Sequence, residues 1–342
     1  MKNVKLYAGL DMHTETTTGT IKDEKGNPVR VLKVETSSEG MKKLFERLKK
    51  KNISAVFEAS RNWPRYAGLV KPYCDNVVMA HPLKVRAIAS ARIKTDAIDS
   101  NILSDLLRAN LIPESYMPST DIVELREILR YRCFLSRQRA NFKIKVRNIL
   151  SREGKKCEFN DVTVKKARLW IDNLELQELN QKELDYVLSL IDNLSKEIMN
   201  MDKIIDKYQY KYPEVDLLKS IAGISTYSGL LILSEIGDVS RFPTPQKLAA
   251  YSGLVPSTYQ SSNTCYQGRI TKRGSKWLRW ILTQCVHASI KTRRTHRLKH
   301  FYLRLQRKKG KQKAITATSR KMITIIWHLL NKNEFYAYQK NV

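Results

Sequence analysis

The chain has 342 residues, 42% of them hydrophobic and 28% charged, so it is long enough for two or three domains and is not a disordered chain. Its 62 lysines and arginines against 33 acids give a formal net charge of +29, which favours a polyanionic partner. No apolar run reaches the roughly 18 residues that a spanning helix needs, so the sequence predicts no membrane span.

The positive charge is concentrated in the last third of the chain. Residues 1–110 hold 20 lysines and arginines against 12 acids, a net charge of +8, and residues 111–238 hold 20 of each. Residues 239–333 hold 21 lysines and arginines and no aspartate or glutamate. Because globular surfaces ordinarily mix both signs, this stretch predicts contact with nucleic acid. An acidic membrane surface is the alternative, but no single lipid-facing amphipathic helix stands out.

The cysteines and the N-terminus bear on the compartment. Five cysteines are scattered without a CxxC motif, which fits reduced thiols and argues against a disulfide framework or a zinc site. The opening MKNVKLYAGLDMHTE has neither a long apolar stretch nor a small-residue cleavage site, so no signal peptide is predicted. We therefore expect a cytoplasmic protein.

The first hundred residues alternate strand and helix patterns. Helical patterns cover residues 37–52, 62–74 and 82–112. The first three strands form a β-meander, and a sheet in which the first and fourth strands are neighbours would bring their ends to one edge. The strand patterns are VKLYAGLDMH, ETTTGTIKD, VRVLKVET, ISAVFEAS and DNVVMAHP.

Two long helices are predicted in the middle of the chain. Residues 121–153 form a basic amphipathic pattern, and residues 184–208 carry a heptad seam with apolar steps of three and four. The seam predicts either a coiled coil with a partner chain or an intramolecular hairpin with 121–153. Its members are Leu184, Val187, Ile191, Leu194, Ile198, Met201, Ile205 and Tyr208.

The basic segment opens with IAGIS at residues 221–225, which favours either a phosphate-binding helix-hairpin-helix or a plain corner between two helices. A polar loop at STYQSSNTCYQG, a basic turn at GRITKRGS and a helix starting near Ser275 follow. The chain thus divides into a metal-binding domain, long helices with a coiled coil, a basic domain and a tail. Their ranges are 1–115, 116–212, 213–333 and 334–342.

Four carboxylates carry the chemistry of the first domain. Asp11 ends the first strand, Glu58 ends the fourth, and Asp96 and Asp99 share one face of a helix. Each alone is typical of a turn, a cap or a solvated surface. In this order they form the ribonuclease-H-like arrangement, in which clustered acids need cations. Two Mg²⁺ ions, roughly 3.5–4 Å apart, fit such oxygen ligands and assist phosphoryl transfer.

At these residues the sequence resembles a known family. GLDMH, FEAS and KTDAIDS resemble the Asp-Glu-Asp-Asp motifs of the DEDD-type insertion-sequence transposases, whose N-terminal domain is like the Holliday-junction resolvase RuvC. IAGIS, SEIGDVSRF, KLAAYSGLVPSTYQSS and GRITKRGSKWLRWIL resemble the family's serine-bearing transposase domain. The matches run from about residue 5 to 290, with a coiled-coil linker between the two domains.

The resemblance implies a fold and an activity. The fold is an α/β ribonuclease-H-like (RuvC-like) N-terminal domain, a helical coiled-coil middle and a mostly helical basic C-terminal domain. The activity is that of a prokaryotic DNA recombinase, nucleoid-associated when bound to DNA and guided by a non-coding bridge RNA of its element. The family works as an oligomer, here a homodimer or tetramer. A serine becomes joined to DNA, and acids hold Mg²⁺ in a composite site with a serine from another subunit.

The resemblance also implies site residues. The metal-binding acids are Asp11, Glu58, Asp96 and Asp99. Counting from Gly253 places the nucleophile on Ser261, with Ser262 as the alternative because Asn263 stands where the family usually has glycine. Ser257 lies too close to the GLVP turn. His13, just after Asp11, either assists the metal site or is a surface histidine, and the surface position is favoured. The expected nucleic-acid-binding residues are Arg269, Lys272, Arg273, Lys276 and Arg279.

Two other functions remain open at this point. A metal-dependent endonuclease of the Holliday-junction type would need only the acids. A non-enzymatic nucleic-acid-binding protein would need neither the acids nor the serine, and its activity would reduce to salt-sensitive affinity.

Overall fold

The computed structural model describes residues 5–48, 52–89, 95–261, 264–293 and 296–336. The chain forms two compact units, Met1–Ser119 and Thr120–Val342. The finer division of the second unit near residue 212 stays a prediction. No helix in the described ranges combines the length and apolar character that crossing a membrane requires.

The first unit is built on a five-stranded sheet in the order β3-β2-β1-β4-β5. Strands β1 to β3 pair antiparallel, as the predicted meander requires, and β4 and β5 continue the sheet parallel to β1. The first and fourth strands are therefore neighbours, as the sequence predicts. The strands are β1 (Leu6–Met12), β2 (Thr16–Lys22), β3 (Pro28–Glu35), β4 (Ile53–Glu58) and β5 (Asn76–Ala80).

Helices cover this sheet. Ser37 caps the first of them by accepting from the backbone N–H of Gly40, but the helix ends before the predicted residue 52, and Arg47 turns the chain with a φ of 60°. The segment 82–112, predicted as mostly helical, shows two helices in its described residues 82–89 and 95–112. The helices are α1 (Ser38–Phe45), α2 (Trp63–Val70), α3 (Pro82–Ile88) and α4 (Asp96–Arg108), and a 3₁₀ helix covers Lys71–Tyr73.

The second unit is mostly helical, as the basic and heptad patterns predict. Its 3₁₀ helices are Gln209–Lys211 and Val239–Arg241. Its other elements are α5 (Thr120–Arg152), α6 (Lys165–Asp172), α7 (Glu178–Tyr208), α8 (Glu214–Lys219), α9 (Thr226–Ile236), α10 (Pro245–Tyr251), β6 (Pro256–Ser261), β7 (Thr264–Ile270), α11 (Lys276–Lys291), α12 (Arg297–Lys309) and α13 (Lys311–Lys332).

Helices α5 and α7 form an antiparallel hairpin. Leu129, near the start of α5, shares a core with Ile205 of α7, whereas Ile149, near the end of α5, shares another core with Leu184. The heptad seam is therefore buried within this chain, which is the intramolecular alternative. Polar pairs fix the register along the hairpin: Arg132 with Asp202 at 2.9 Å, Arg139 with Ser195 at 3.2 Å, and Arg152 with Glu183.

The segment predicted as a polar loop is a β-hairpin. Strands β6 and β7 pair antiparallel, with Tyr259 opposite Tyr266 and Ser261 opposite Thr264. The prediction was wrong because serine, asparagine and glutamine dominate the composition. The threonines and tyrosines between them favour extended backbone strongly enough to form strands.

The IAGIS turn packs against α11. Gly223 has a φ of 93°, and a Cβ there would lie 2.5 Å from the carbonyl oxygen of Cys285 and 2.5 Å from the amide nitrogen of Ser289. Only glycine allows two backbones to approach so closely. The turn is thus a tight corner between helices, and phosphate binding at this motif stays a prediction.

Candidate functional site: an acidic sheet edge and a basic hairpin

The acidic edge of the sheet begins where β1 and β4 end. Leu10 pairs with Phe57 across these parallel strands, so Asp11 and Glu58 occupy neighbouring positions one step further along. Both residues are half-buried. Parallel pairing thus brings the two acids to the same edge, where the sequence predicts them.

The other two acids lie in the first turn of α4. Thr95 caps this helix, and its side chain accepts from the backbone N–H of Ile98 at 3.2 Å. Asp96 and Asp99 follow the cap, where the helix dipole favours negative charge. This local effect explains acids at a helix start but not their proximity to the sheet edge.

Gly9 brings α4 onto the sheet. A Cβ on Gly9 would lie 2.1 Å from the carbonyl oxygen of Ser100 and 2.4 Å from the amide nitrogen of Ser104. The helix backbone therefore rests directly on β1, two residues before Asp11. A hydrogen bond of 2.9 Å between the Thr20 and Ser100 hydroxyls fixes the helix across β2 as well.

Three side chains at this edge have the geometry of a metal site. One ligand atom each from Asp11, His13 and Asp96 lies within 4.8 Å of the others. His13 Nε2 is 3.3 Å from Asp11 Oδ2 and 3.8 Å from Asp96 Oδ1. Ligand atoms of an octahedral ion at about 2.1 Å lie about 3 Å apart when adjacent and about 4 Å when opposite. The residues present therefore fit a divalent cation.

The electrostatics of this cluster fit the same interpretation. Burial raises the pKa of Asp11, and the charges of Asp96 and Asp99 raise it further, while His13 lowers it. Lys33 donates to Asp96 Oδ2 at 2.9 Å and holds the pKa of Asp96 below its usual range. Lys33 thus partly neutralises Asp96, whereas burial is the main cause of the raised pKa of Asp11.

His13 belongs to this cluster, a role that the sequence analysis considered but did not favour. Its side chain is 59% exposed, as expected for a surface histidine, but Nε2 faces both aspartates. The sequence feature that indicates this position is the spacing Asp-x-His at a strand end, because residues two apart point to the same side of a strand. Glu58 and Asp99 lie outside the three-residue group, although Asp99 is close enough to raise the pKa of Asp11.

The candidate nucleophile lies in the β6–β7 hairpin of the second unit. Ser261 is the last residue of β6, and its described part is the backbone, opposite Thr264. Ser262, the alternative nucleophile, lies outside the described residues. The Ser257 hydroxyl donates to the carbonyl oxygen of Arg269 at 3.2 Å. This hydrogen bond joins β6 to β7, so Ser257 contributes to the structure of the hairpin.

The predicted basic residues lie at the end of β7, in the tightly held turn that follows it and at the start of α11. The amide of Thr271 donates to the Val255 carbonyl at 2.9 Å, and that of Ser275 donates to the Tyr251 carbonyl at 3.0 Å. Gly274 has a φ of 96°, and a Cβ there would lie 2.0 Å from the Tyr251 oxygen. Four of the five predicted cations are exposed in and beside this turn. The exposed ones are Arg269, Lys272, Arg273 and Lys276.

Arg279, the fifth predicted cation, is half-buried and donates to the carbonyl oxygen of Ser252 at 3.2 Å. Its guanidinium thus braces the loop after α10. That contact is a structural role which the sequence did not predict.

A buried glutamate anchors this turn and was also missed. Glu235 of α9 accepts from the Ser275 hydroxyl at 2.8 Å and from Arg130 of α5 at 2.6 and 2.9 Å. The same Ser275 hydroxyl caps α11 by accepting from the amide of Leu278 at 3.1 Å. Glu235 therefore ties the start of α11 to two other helices.

Comparison with known families matches both units. A family model described as Transposase, the DEDD type of IS110, covers residues 8–153. A second, described as Transposase IS116/IS110/IS902 family, covers residues 215–303. Together the two matches span more than half of the chain, in the order that the sequence motifs predict.

Individual relatives share between 26% and 35% sequence identity with this chain over the aligned residues. The transposase of insertion sequence element IS1111A from Coxiella burnetii is 28% identical over 42% of this chain and 42% of its own. The pilin gene-inverting protein of Moraxella bovis is 26% identical over 82% of this chain and 81% of its own. The IS1328 transposase of Yersinia enterocolitica is 35% identical over 20% of each chain. The chain spans less than half of the Coxiella protein that it matches. With both domains present, it belongs to the IS110/IS116 family of insertion-sequence transposases.

Proposed function

We propose that the protein is the DNA recombinase of an insertion sequence, cleaving and rejoining DNA through a covalent serine–DNA intermediate. The observation that carries the proposal is the acid–histidine cluster at the edge of a ribonuclease-H-like sheet, in a chain that also holds the family's basic domain. The recombinase is proposed to act as a homodimer or tetramer, guided by a bridge RNA of its element.

The metal is proposed to be Mg²⁺, held by Asp11 and Asp96 with Glu58 and Asp99 beside them. Carboxylate oxygens are the ligands that Mg²⁺ prefers, and the clustered ligand atoms of Asp11, His13 and Asp96 support an ion at this edge. When bound there, Mg²⁺ supplies charge neutralisation at a phosphate and lowers the pKa of an attacking hydroxyl. Nitrogen from His13 adds a ligand that also suits Mn²⁺.

The serine step exchanges one phosphate ester for another. The Ser261 oxygen bonds to phosphorus as its proton leaves, and the bond from phosphorus to one sugar oxygen breaks. That oxygen takes up a proton and ends the released strand as a hydroxyl. Rejoining is the reverse reaction with a different strand end. The exposed cations Arg269, Lys272 and Arg273 offset the charge that builds on the phosphate oxygens.

An adduct assay tests the proposal. The purified protein is incubated with Mg²⁺, the element's RNA and junction DNA, and is then run on a denaturing gel. We expect a DNA–protein band that Ser261→Ala and Asp96→Asn both abolish. Glu15→Gln is the matched control, because Glu15 is an exposed acid close to Asp11 in sequence but outside the cluster.

The same gel distinguishes the other functions. Metal-dependent cleavage without an adduct, unchanged in Ser261→Ala, would identify a carboxylate endonuclease. Salt-sensitive binding without cleavage, unchanged in both variants, would identify a nucleic-acid-binding protein without catalysis. Loss of the adduct in Ser262→Ala but not in Ser261→Ala would move the nucleophile by one residue.

A further inference from the structure

Two tyrosines stack on each other across the β6–β7 hairpin. Tyr259 and Tyr266 are directly opposite in the register, with ring centroids 5.0 Å apart and an angle of 17° between the ring planes. They remain 53% and 61% exposed. Tyr259 stands two residues before Ser261 in the same strand. We call these two residues the tyrosine pair.

Hairpin stability explains only part of this arrangement. Cross-strand aromatic pairs stabilise two-stranded hairpins, which are marginal on their own. That effect requires the rings to contact each other and the strands. It does not require both rings to keep more than half of their surface open to solvent beside the candidate nucleophile.

The surroundings of the pair are cationic and open. A cavity of about 670 Å³ lies along the hairpin, and Tyr259, Arg269 and Arg273 contribute to its wall. Gly268 leaves the room for this, since a Cβ there would lie 2.5 Å from the Ser257 hydroxyl oxygen and 3.3 Å from the Tyr259 ring. Residues 239–333 contain no acid, so no carboxylate of this segment competes for the arginines.

We propose that the tyrosine pair stacks on an unpaired base of the DNA strand, next to the phosphate that Ser261 attacks. The inference rests on the proposed function and names the tyrosines as positioning residues. Aromatic rings bind bases of any sequence through their faces, and neighbouring arginines bind the phosphates. An intact duplex hides those faces, so the base must be unstacked or single-stranded. The position beside Ser261 selects DNA, because the strand joined to the serine is DNA.

Fluorescence of 2-aminopurine tests this stacking directly. The full-length Ser261→Ala protein, without Mg²⁺, is titrated into single-stranded junction DNA that carries 2-aminopurine next to the junction phosphate. We expect quenching on binding, retained in Tyr259→Phe and Tyr266→Phe. We expect Tyr259→Leu and Tyr266→Leu, which keep bulk but lose the aromatic face, to abolish the quenching and weaken binding about tenfold. Tyr210→Leu is the control, since Tyr210 is 92% exposed elsewhere in this unit.

The possible outcomes distinguish failure of the base-stacking inference from failure of the proposed recombinase function. The assay needs neither cleavage nor metal, so a failed adduct assay leaves this readout intact. Equal quenching by the leucine variants would overturn the inference and leave the pair as a hairpin brace. Equal or stronger quenching of the same RNA sequence would overturn the choice of DNA. Amide exchange of β6 and β7 in each variant shows whether the hairpin persists, and the phenylalanine variants keep the test valid if leucine unfolds it.

Discussion

Carboxylates serve opposite purposes in the two units. In the first unit Asp11 and Asp96 are half-exposed, and burial together with neighbouring acids raises the pKa of Asp11. In the second unit Glu235 is 2% exposed, and both its oxygens accept hydrogen bonds from Arg130 and Ser275. Exposure, rather than residue type, thus distinguishes the acids of the edge from the acid that holds helices together.

The two units also differ in what keeps each arrangement in place. The acidic edge is positioned by backbone resting on backbone at Gly9, so its acids need not be paired to stay where they are. The basic turn is positioned by the paired side chain of Glu235 and by backbone hydrogen bonds to Val255 and Tyr251. Substitutions at Glu235 and at Gly9 should therefore affect different properties.

The largest expected effect is on stability of the second unit. Glu235→Ala should lower the free energy of opening of α9 and α11 by about 3 kcal/mol, because it removes one partner of a buried ion pair. The loss lies at the lower end of the usual range because Arg130 is 37% exposed. Amide hydrogen exchange of the intact chain measures it. The double variant Arg130→Met/Glu235→Leu should recover most of the loss, and equal exchange in Glu235→Ala and wild type would contradict the role.

The next effect concerns the backbone contact in the first unit. Gly9→Ala should cost about 2 kcal/mol in the opening of β1, because the added methyl overlaps the backbone of α4. It should also weaken Mg²⁺ binding, measured by calorimetry, since the first turn of α4 moves away from Asp11. Gly68→Ala is the control, because a Cβ there meets nothing within 4 Å. This substitution should stabilise α2 by up to about 1 kcal/mol. Unchanged metal affinity in Gly9→Ala would show that the contact does not position the acids.

The acidic edge was predictable from sequence because its parts lie in regular elements. Strand alternation and parallel pairing bring Asp11 and Glu58 to one edge, and a helical turn separates Asp96 from Asp99. The alternation and the helical turn are local rules, and the pairing of β1 with β4 follows from the ribonuclease-H-like order of the elements. What could not be predicted was how closely α4 approaches the sheet, since that depends on Gly9 facing Ser100 and Ser104 across the fold.

The second unit was less predictable because its key contacts join distant parts of the chain. Glu235 resembles any surface acid in sequence, but it lies in a buried helix and pairs with Arg130, 105 residues earlier. The β6–β7 hairpin was interpreted as a loop because its polar composition outweighed the alternating tyrosines and threonines. The paired strands that lead to Ser261 were therefore not predicted from the sequence.

A third prediction concerns the choice of metal. His13→Gln should reduce Mn²⁺ affinity about tenfold and Mg²⁺ affinity less, because imidazole nitrogen favours the softer transition ion. Calorimetric titration with each ion measures the ratio, and electron paramagnetic resonance of bound Mn²⁺ should show nitrogen coupling only with His13 present. His300→Gln, at an exposed histidine of the second unit, is the control. Equal losses for both ions would make His13 a neighbour that acts by charge alone.

The smallest expected effect comes from the cation that occupies part of the acidic edge. Lys33→Ala should raise Mg²⁺ affinity by roughly two- to fivefold, because the incoming ion no longer displaces an ammonium group from Asp96. Loss of Lys33 also raises the pKa of Asp96 towards its usual value, which leaves the carboxylate ionised at pH 7. The gain in Mg²⁺ affinity therefore comes from removal of a competing positive charge and not from a change in the protonation of Asp96. Added salt should diminish this gain. Lys42→Ala, at an exposed lysine of α1, should leave the affinity unchanged. A lower affinity in Lys33→Ala would mean that Lys33 orients Asp96 for the ion, and the edge would then depend on a paired side chain as the second unit depends on Glu235.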